Sequence, residues 1–185
     1  MGKQPRIPLV SREAASDEQR RVGDFIYAKR NEEYAGPSAI LLHIPELAER
    51  FELMREHIRA AGLPNDLLQL ATLVLARHWS VDYVWNVRVG LARSAGIPDA
   101  IIEAIRNRQR PAFANAGQEA IYVYTTELLG PSGVSDAAHK SVRRVLGSDE
   151  LVIELVAVIG LYTILALEER AADIAAQAGS IPLPE

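Results

Sequence analysis

Residues 67–96 read LLQLATLVLARHWSVDYVWNVRVGLARSAG, and their spacing decides the fold class. Leu67, Leu70, Ala71, Val74 and Leu75 recur at three- and four-residue intervals, the pattern of a helix with a buried face. Ser80 interrupts the run, placed to cap a second helix from about Val81 to Ala95 that Gly96 closes and Pro98 follows. On this second helix Val81, Val84 or Trp85, and Arg88 share one face. An arginine on an apolar face usually snorkels or meets a carboxylate. With Trp85 beside it, Arg88 is also placed to stack its guanidinium over an indole.

Outward from this pair the punctuation spells more helices. Ser16-Asp-Glu-Gln19 has the capping-box form and opens a polar helix to about Tyr34, which Gly36-Pro37 breaks. A short apolar turn, AILLH, follows Ser38. Pro45 then fits the first position of PELAERFELMREHIRAA, with Leu47, Phe51, Met54 and Ile58 at helical spacing. Further helices read as 98–108, 116–129, 135–146 and 149–176, with Ser135 and Ser148 as caps. RAAGLPNDLLQ from Arg59 is echoed by RSAGIPDAIIE from Arg93, a Gly-Pro helix-turn-helix used twice rather than a solenoid repeat. No stretch alternates as a strand does, so the class is all-α.

Composition limits the chemistry. Of 185 residues 49% are apolar but only 6% aromatic, so the core is chiefly Ala, Leu, Ile and Val. There is no cysteine, which excludes disulfides, thiolate nucleophiles and thiolate metal sites. A net charge of -4 with dispersed Lys and Arg offers nothing to nucleic acid. The first residues, MGKQPRIPLVSREAASDEQRR, lack the apolar stretch of a secretory leader, and Arg6 stands where a myristoylation signal wants Ser or Thr, so a cytoplasmic protein is expected. The segment 151–167 is apolar but short for a membrane span and contains Glu154; a core helix or subunit interface suits it better. His43, His57, His78 and His139 are scattered without metal-ligand spacing, so no metal is expected. The adjacent pairs Glu32-Glu33 and Glu168-Glu169 read as solvated faces.

GLPNDLLQLATLVLARHW followed by DYVWNVRVGLARSAGIPDAII resembles the core motif of the carboxymuconolactone decarboxylase and AhpD-like superfamily. Upstream, AGPSAILLHIPELAERFELMREHIR is similar to the segment preceding that motif, and ELVAVIGLYTILAL resembles the family's long last helix. The likeness runs from about Gly36 to Leu167. It implies an AhpD-like helical bundle of about eight helices over 36–176, behind an N-terminal arm and helix (1–35) and before a tail (177–185). It also implies assembly into trimers or trimer-of-dimers hexamers. The glutamate, the two cysteines and the histidine of AhpD-like peroxidases correspond to Gln69, Val81, Val84 and Arg88 here. In the redox-inactive branch a Glu-Trp pair with a following histidine matches Val84, Trp85 and Arg88. Only the tryptophan is kept, so this chain resembles a redox-inactive member with its proton relay substituted, and thiol peroxidase chemistry is excluded.

Gln does not titrate, Val cannot hydrogen-bond through its side chain, and Arg stays protonated. On the family fold, Gln69 and Arg88 would face a pocket walled by Val81, Val84 and Trp85. A fixed cation and an amide in an apolar cavity suit a carboxylate, an enolate or a polarised carbonyl. The expected activity is that of a cofactor-independent lyase, isomerase or cyclase on a small oxo-acid, lactone or polyketide-like intermediate, with Arg88 stabilising negative charge. Protons would then pass through Tyr83, His78, His43, Tyr162 or water. His78 follows Gln69 by nine residues, about half a turn round an ideal helix, and so points away from it. His43 is also placed to anchor a loop. The competing expectation is a non-catalytic relative serving as a ligand-binding or assembly subunit; an Arg88 paired to a buried carboxylate in a filled core would mark it.

Overall fold

A computed structural model describes residues 4–28, 34–174 and 179–185. The Met1-Gly2 start, the Glu32-Glu33 pair and position 176 lie outside the described residues; the last helix, expected to run to 176, ends at Ala172, where Asp173 takes the left-handed conformation. Among those described there are nine helices and no strand: α1 (Asp17–Tyr27), α2 (Gly36–Leu41), α3 (Pro45–Ala60), α4 (Asn65–Trp79), α5 (Asp82–Ser94), α6 (Asp99–Arg106), α7 (Ala116–Leu129), α8 (Asp136–Leu146) and α9 (Asp149–Ala172).

The apolar run that opened the sequence reading becomes the central element. α4 is buried from Gln69 to Arg77 on every side because α5, α6, α7 and α9 surround it. α9 buries one stripe, including Val152, Leu155, Ile159, Tyr162, Ala166 and Glu169, against α2, α3, α4 and α8. It is long and apolar enough to cross a membrane by length and composition. Its unburied residues include Ile153, Ile164 and Leu167, so this helix is also apolar on its outward side.

Several ends form as their sequences dictate. Ser16 and Gln19 make the reciprocal capping box, each side chain bonded to the other's backbone N–H. Ser135 and Ser148 accept from the N–H groups of Ala138 and Leu151. α1 is shorter than its polar pattern suggests and stops at Tyr27. Tyr34 folds back to stack on Tyr27, 5.0 Å between centroids, and donates to Asp24 Oδ1 at 2.7 Å. Gly23 permits this return, since a Cβ there would lie 2.2 Å from the Tyr34 ring.

α3 is rotated from the face its apolar spacing suggests. Phe51 and Ile58 are buried, but Leu47 and Met54 are exposed, and Glu52 and Arg55 take the inner positions. The N-terminal arm lies over α2 and the end of α9, through Val10 N–H to Ala39 O and Arg6 N–H to Ala172 O. His43 belongs to this contact, with Nε2 2.8 Å from the Pro8 carbonyl.

Residues 179–185 strap the α4–α5 junction. Leu183 N–H donates to Asp82 Oδ1 at 2.7 Å, and Arg106 donates to Pro182 O at 2.8 Å. The anchor is buried Arg77, which donates to Arg106 O (2.7 Å), Ser80 Oγ (2.9 Å) and Pro184 O (2.8 Å). Burial pushes this guanidinium's pKa down, with Arg108 and Arg106 acting in the same direction. Removing it strands these acceptors, so Arg77→Met is expected to cost about 2–3 kcal/mol in urea unfolding. It should also increase hydrogen exchange at the Leu183 amide; unchanged stability and exchange would dismiss the strap.

Candidate functional site

The site begins at the turn between α4 and α5, where local chemistry differs from the sequence expectation. Ser80 does not cap α5. It ends α4 in the left-handed conformation, φ 51° and ψ 56°, and its hydroxyl accepts from Arg77 and Arg108. The start of α5 is satisfied from another helix: the Glu169 carboxylate on α9 accepts from Tyr83 N–H at 2.7 Å and Val84 N–H at 3.1 Å. The pair Glu168-Glu169 is therefore not a solvated face. Glu169 is buried and caps; Glu168 is half-buried, and its Oε2 has no hydrogen-bond partner among the described residues.

α5, held there, turns Tyr83, Val84, Val87, Arg88 and Leu91 into a cavity of about 1050 Å³ shared with α2, α3, α4 and α9. Arg88 donates through Nη1 to Gln69 Oε1 at 3.3 Å and through Nη2 to the Tyr162 hydroxyl in a short contact. Its guanidinium carbon stands 4.2 Å from the Tyr162 ring centroid. Gln69 is oriented in turn by Asn65, whose Oδ1 accepts from Gln69 Nε2 at 3.1 Å. Among the described residues no carboxylate pairs with Arg88. A guanidinium has five N–H donors, so two bonds leave capacity for a ligand. Tyr162, accepting from Arg88, retains its own O–H to donate. Ile58, Leu68, Leu161 and Leu165 supply apolar wall.

α3 contributes a second polar group to the same cavity. Glu52 meets Arg55 at 3.2 Å and Arg59 at 3.0 Å, and Arg55 donates to Ser38 Oγ at 3.3 Å. Glu52 and Arg55 are buried, whereas the Arg59 side chain is 49% exposed.

Of the residues singled out from sequence, Arg88, Gln69, Tyr83, Val84 and Tyr162 line the cavity together. Val81 and Trp85 are packed in the core and do not. The ring beneath Arg88 is that of Tyr162, from a distant helix, and not the indole of Trp85. His78 is exposed at the end of α4, edge-on to Trp79 at 5.0 Å, and His43 is bound to the arm; neither reaches the cavity. Sequence reasoning passed over Asn65, Ser38, Glu52, Arg55, Arg59 and Glu169. The signal for three of them was present: Glu52, Arg55 and Arg59 follow one another at helical spacing beside Phe51 and Ile58.

No family model matches this sequence, and no curated protein matches it either. Solved structures do. An alkylhydroperoxidase AhpD core, an uncharacterized peroxidase-related protein from Ralstonia eutropha, superposes with a TM-score of 0.76 at 14% identity, covering 98% of this chain and 100% of that one. The debrominase Bmp8, in complex with 2,3,4-tribromopyrrole, superposes with a TM-score of 0.74 at 17% identity, covering 93% of this chain and 91% of that one. The fold is AhpD-like. At these identities the likeness carries the architecture and leaves function to the residues of the site.

Burial pushes the Glu168 carboxyl up to about 7 despite Arg55, and pushes Glu169 up to about 7 despite the N–H groups of Tyr83 and Val84. An unfolded glutamate titrates near 4.5. Between these values the native state holds more protons than the unfolded chain, so the two groups' stabilising contribution falls as pH rises from about 4.5 to about 7. His78, pushed down by burial and Arg108, acts with the opposite sign in part of this window. Comparing wild type with Glu168→Gln isolates one carboxyl. In urea unfolding the variant is expected to gain on wild type from about pH 5 to about pH 7 and to level off above that. A pH-independent difference would refute the assignment.

Proposed function

We propose that this chain is a cofactor-independent lyase, isomerase or cyclase whose substrate places an oxyanion on Arg88 and Tyr162. The reading is supported by one observation above all: among the described residues Arg88 faces a cavity with only neutral oxygens for partners, Gln69 Oε1 and the Tyr162 hydroxyl. A cation kept merely for structure is matched by a carboxylate, as Arg55 is by Glu52, or by a set of carbonyl and hydroxyl acceptors, as Arg77 is; among the described residues Arg88 has neither.

The chemistry follows from the donor set. Guanidinium N–H groups and a phenol O–H, held beside apolar walls, stabilise an enolate or a tetrahedral oxyanion as charge develops. Gln69, tied back to Asn65, keeps Arg88 aimed and takes no proton. On this reading a proton passes through the Tyr162 hydroxyl beside Arg88 or through Tyr83, elsewhere in the lining. Oxo-acids, lactones and polyketide-like intermediates all meet the requirement of an acidifiable carbonyl beside an apolar body. The chain has no cysteine, and thiol peroxidase chemistry forms no part of the reading. The outward apolar residues of α9, Ile153, Ile164 and Leu167, support self-association as a trimer or hexamer.

The test is binding and turnover of benzoylpropionate and a panel of lactones by the full chain. Arg88→Leu is expected to weaken oxo-acid binding about 10- to 100-fold, the value of a hydrogen bond to a charged group, and Arg88→Lys to recover part. Equal binding by wild type and Arg88→Leu would remove the reading. Binding that needs Arg88, with no panel member converted, would favour the alternative of a ligand-binding subunit. Light scattering at the mass of a single protomer would overturn the assembly.

A further inference from the structure

We infer that the cavity is built for an elongated acid with polar groups at both ends, Arg59 on α3 receiving the end remote from Arg88. The inference rests on the proposed role of Arg88 and extends it to the substrate's size and second anchor.

The first observation is volume. Pockets for drug-sized ligands run from about 300 to 1,000 Å³. At about 1050 Å³ this cavity exceeds the needs of a short oxo-acid held at Arg88, which would leave most of it to water.

The second is how the lining is distributed. Arg88, Gln69 and Tyr162 form one polar group, drawn from α5, α4 and α9. Glu52, Arg55, Arg59 and Ser38 form another, drawn from α3 and α2. Lining residues such as Ile58, Leu68, Val87 and Leu165 are apolar. The two groups share no hydrogen bond or ion pair among the described residues, so a ligand that meets both carries two polar groups on an apolar body.

The third is the state of Arg59. Among the described residues its one hydrogen bond goes from Nη2 to Glu52 Oε1 at 3.0 Å, and its side chain is half exposed while it lines the cavity. Its other N–H groups remain for a ligand. Glu52 also meets Arg55, so Arg59 can swing to an acid without leaving that carboxylate without a cation. Arg55, buried and bonded to Ser38, is the fixed member of the group; Arg59 is the movable one.

Titration of the full chain with decanoate, decanedioate and butanedioate, followed calorimetrically, tests this. Wild type is expected to bind decanedioate about tenfold or more tightly than decanoate, and butanedioate far more weakly than either. Arg59→Ala should reduce decanedioate to the affinity of decanoate while leaving decanoate unchanged, with Arg59→Lys restoring part of the preference. Arg143→Ala, on α8 and outside the lining, should change nothing. Equal affinity of wild type for decanoate and decanedioate, or a preference that survives Arg59→Ala, would overturn the second anchor. Butanedioate binding as tightly as decanedioate would overturn the elongated substrate. Arg88→Leu reports separately: decanoate and decanedioate binding both unaffected would remove the oxyanion role of Arg88 itself.

Discussion

The carboxylate of Glu169 on the N–H groups of Tyr83 and Val84, in the first turn of α5, is the constraint from which the rest of the site follows. A helix start inside a fold needs acceptors, and the residue at its N-cap here is Val81, which has none in its side chain. Supplying the acceptor from α9 makes the cap a joint between two helices. Seven residues earlier on α9, two helical turns away on the same face, stands Tyr162; one turn further along α5 stands Arg88. The second contact thus repeats the first at a distance, with chain direction opposed. Once Glu169 seats the end of α5, Arg88 falls over the Tyr162 ring without further adjustment. Burial works against the charge on Glu169, and the fold accepts that cost to keep the joint.

Three arginines show how environment divides one side chain into three roles. Arg77 is sealed inside and spends its donors on the Arg106 and Pro184 carbonyls and the Ser80 hydroxyl, which fastens the tail to the α4–α5 turn. Arg55 is equally buried but stands against Glu52, a charge matched within a cavity wall. Among the described residues Arg88 has neither a set of carbonyls nor a carboxylate. Its partners are an amide oxygen and a phenol, both neutral and both in the lining. Geometry that leaves a guanidinium facing space, with donors still unused, is the geometry of recognition. A lysine in any of the three places would lack the planar fork that reaches several acceptors at once.

Much of the architecture was legible because helix ends are local chemistry. Gly62 and Gly96 do take positive φ, at 85° and 86°, and the Ser16 capping box forms as its spacing says. What stayed hidden depends on a second helix. Periodicity orients a residue about its own axis and is silent on the neighbour it meets. Trp85 and Arg88 are three apart and look like partners, yet the indole turns into the core while Arg88 meets a tyrosine 74 residues away. Glu168 and Glu169 look like a solvated pair because nothing local shows that α5 needs an acceptor. Leu47 and Met54 look like core by their spacing, but Glu52 and Arg55 neutralise one another and take the inner face instead. The likeness in sequence, by contrast, pointed to Gln69 and Arg88 through order and spacing along the chain, and the fold brings these two within hydrogen-bond distance.

The site's residue types narrow how it can act on a substrate. A relay of carboxylate and imidazole moves protons because both titrate near neutrality. Neither histidine proposed from sequence reaches the cavity, and the carboxylate in its lining, Glu52, is held by Arg55 and Arg59. The residues around Arg88 are an amide that does not titrate, a guanidinium that stays charged and a phenol bonded to it. On the proposed function such a set would lower a barrier by fixing charge in advance of the reaction and by holding the reactant in one conformer. Reactions that suit it generate an oxyanion within the substrate and let the substrate's own groups, or a tyrosine hydroxyl, return the proton. Rearrangement, ring closure and loss of carbon dioxide from an activated acid share that requirement, so under the proposed function the same arginine would serve whichever of them the substrate is poised to undergo.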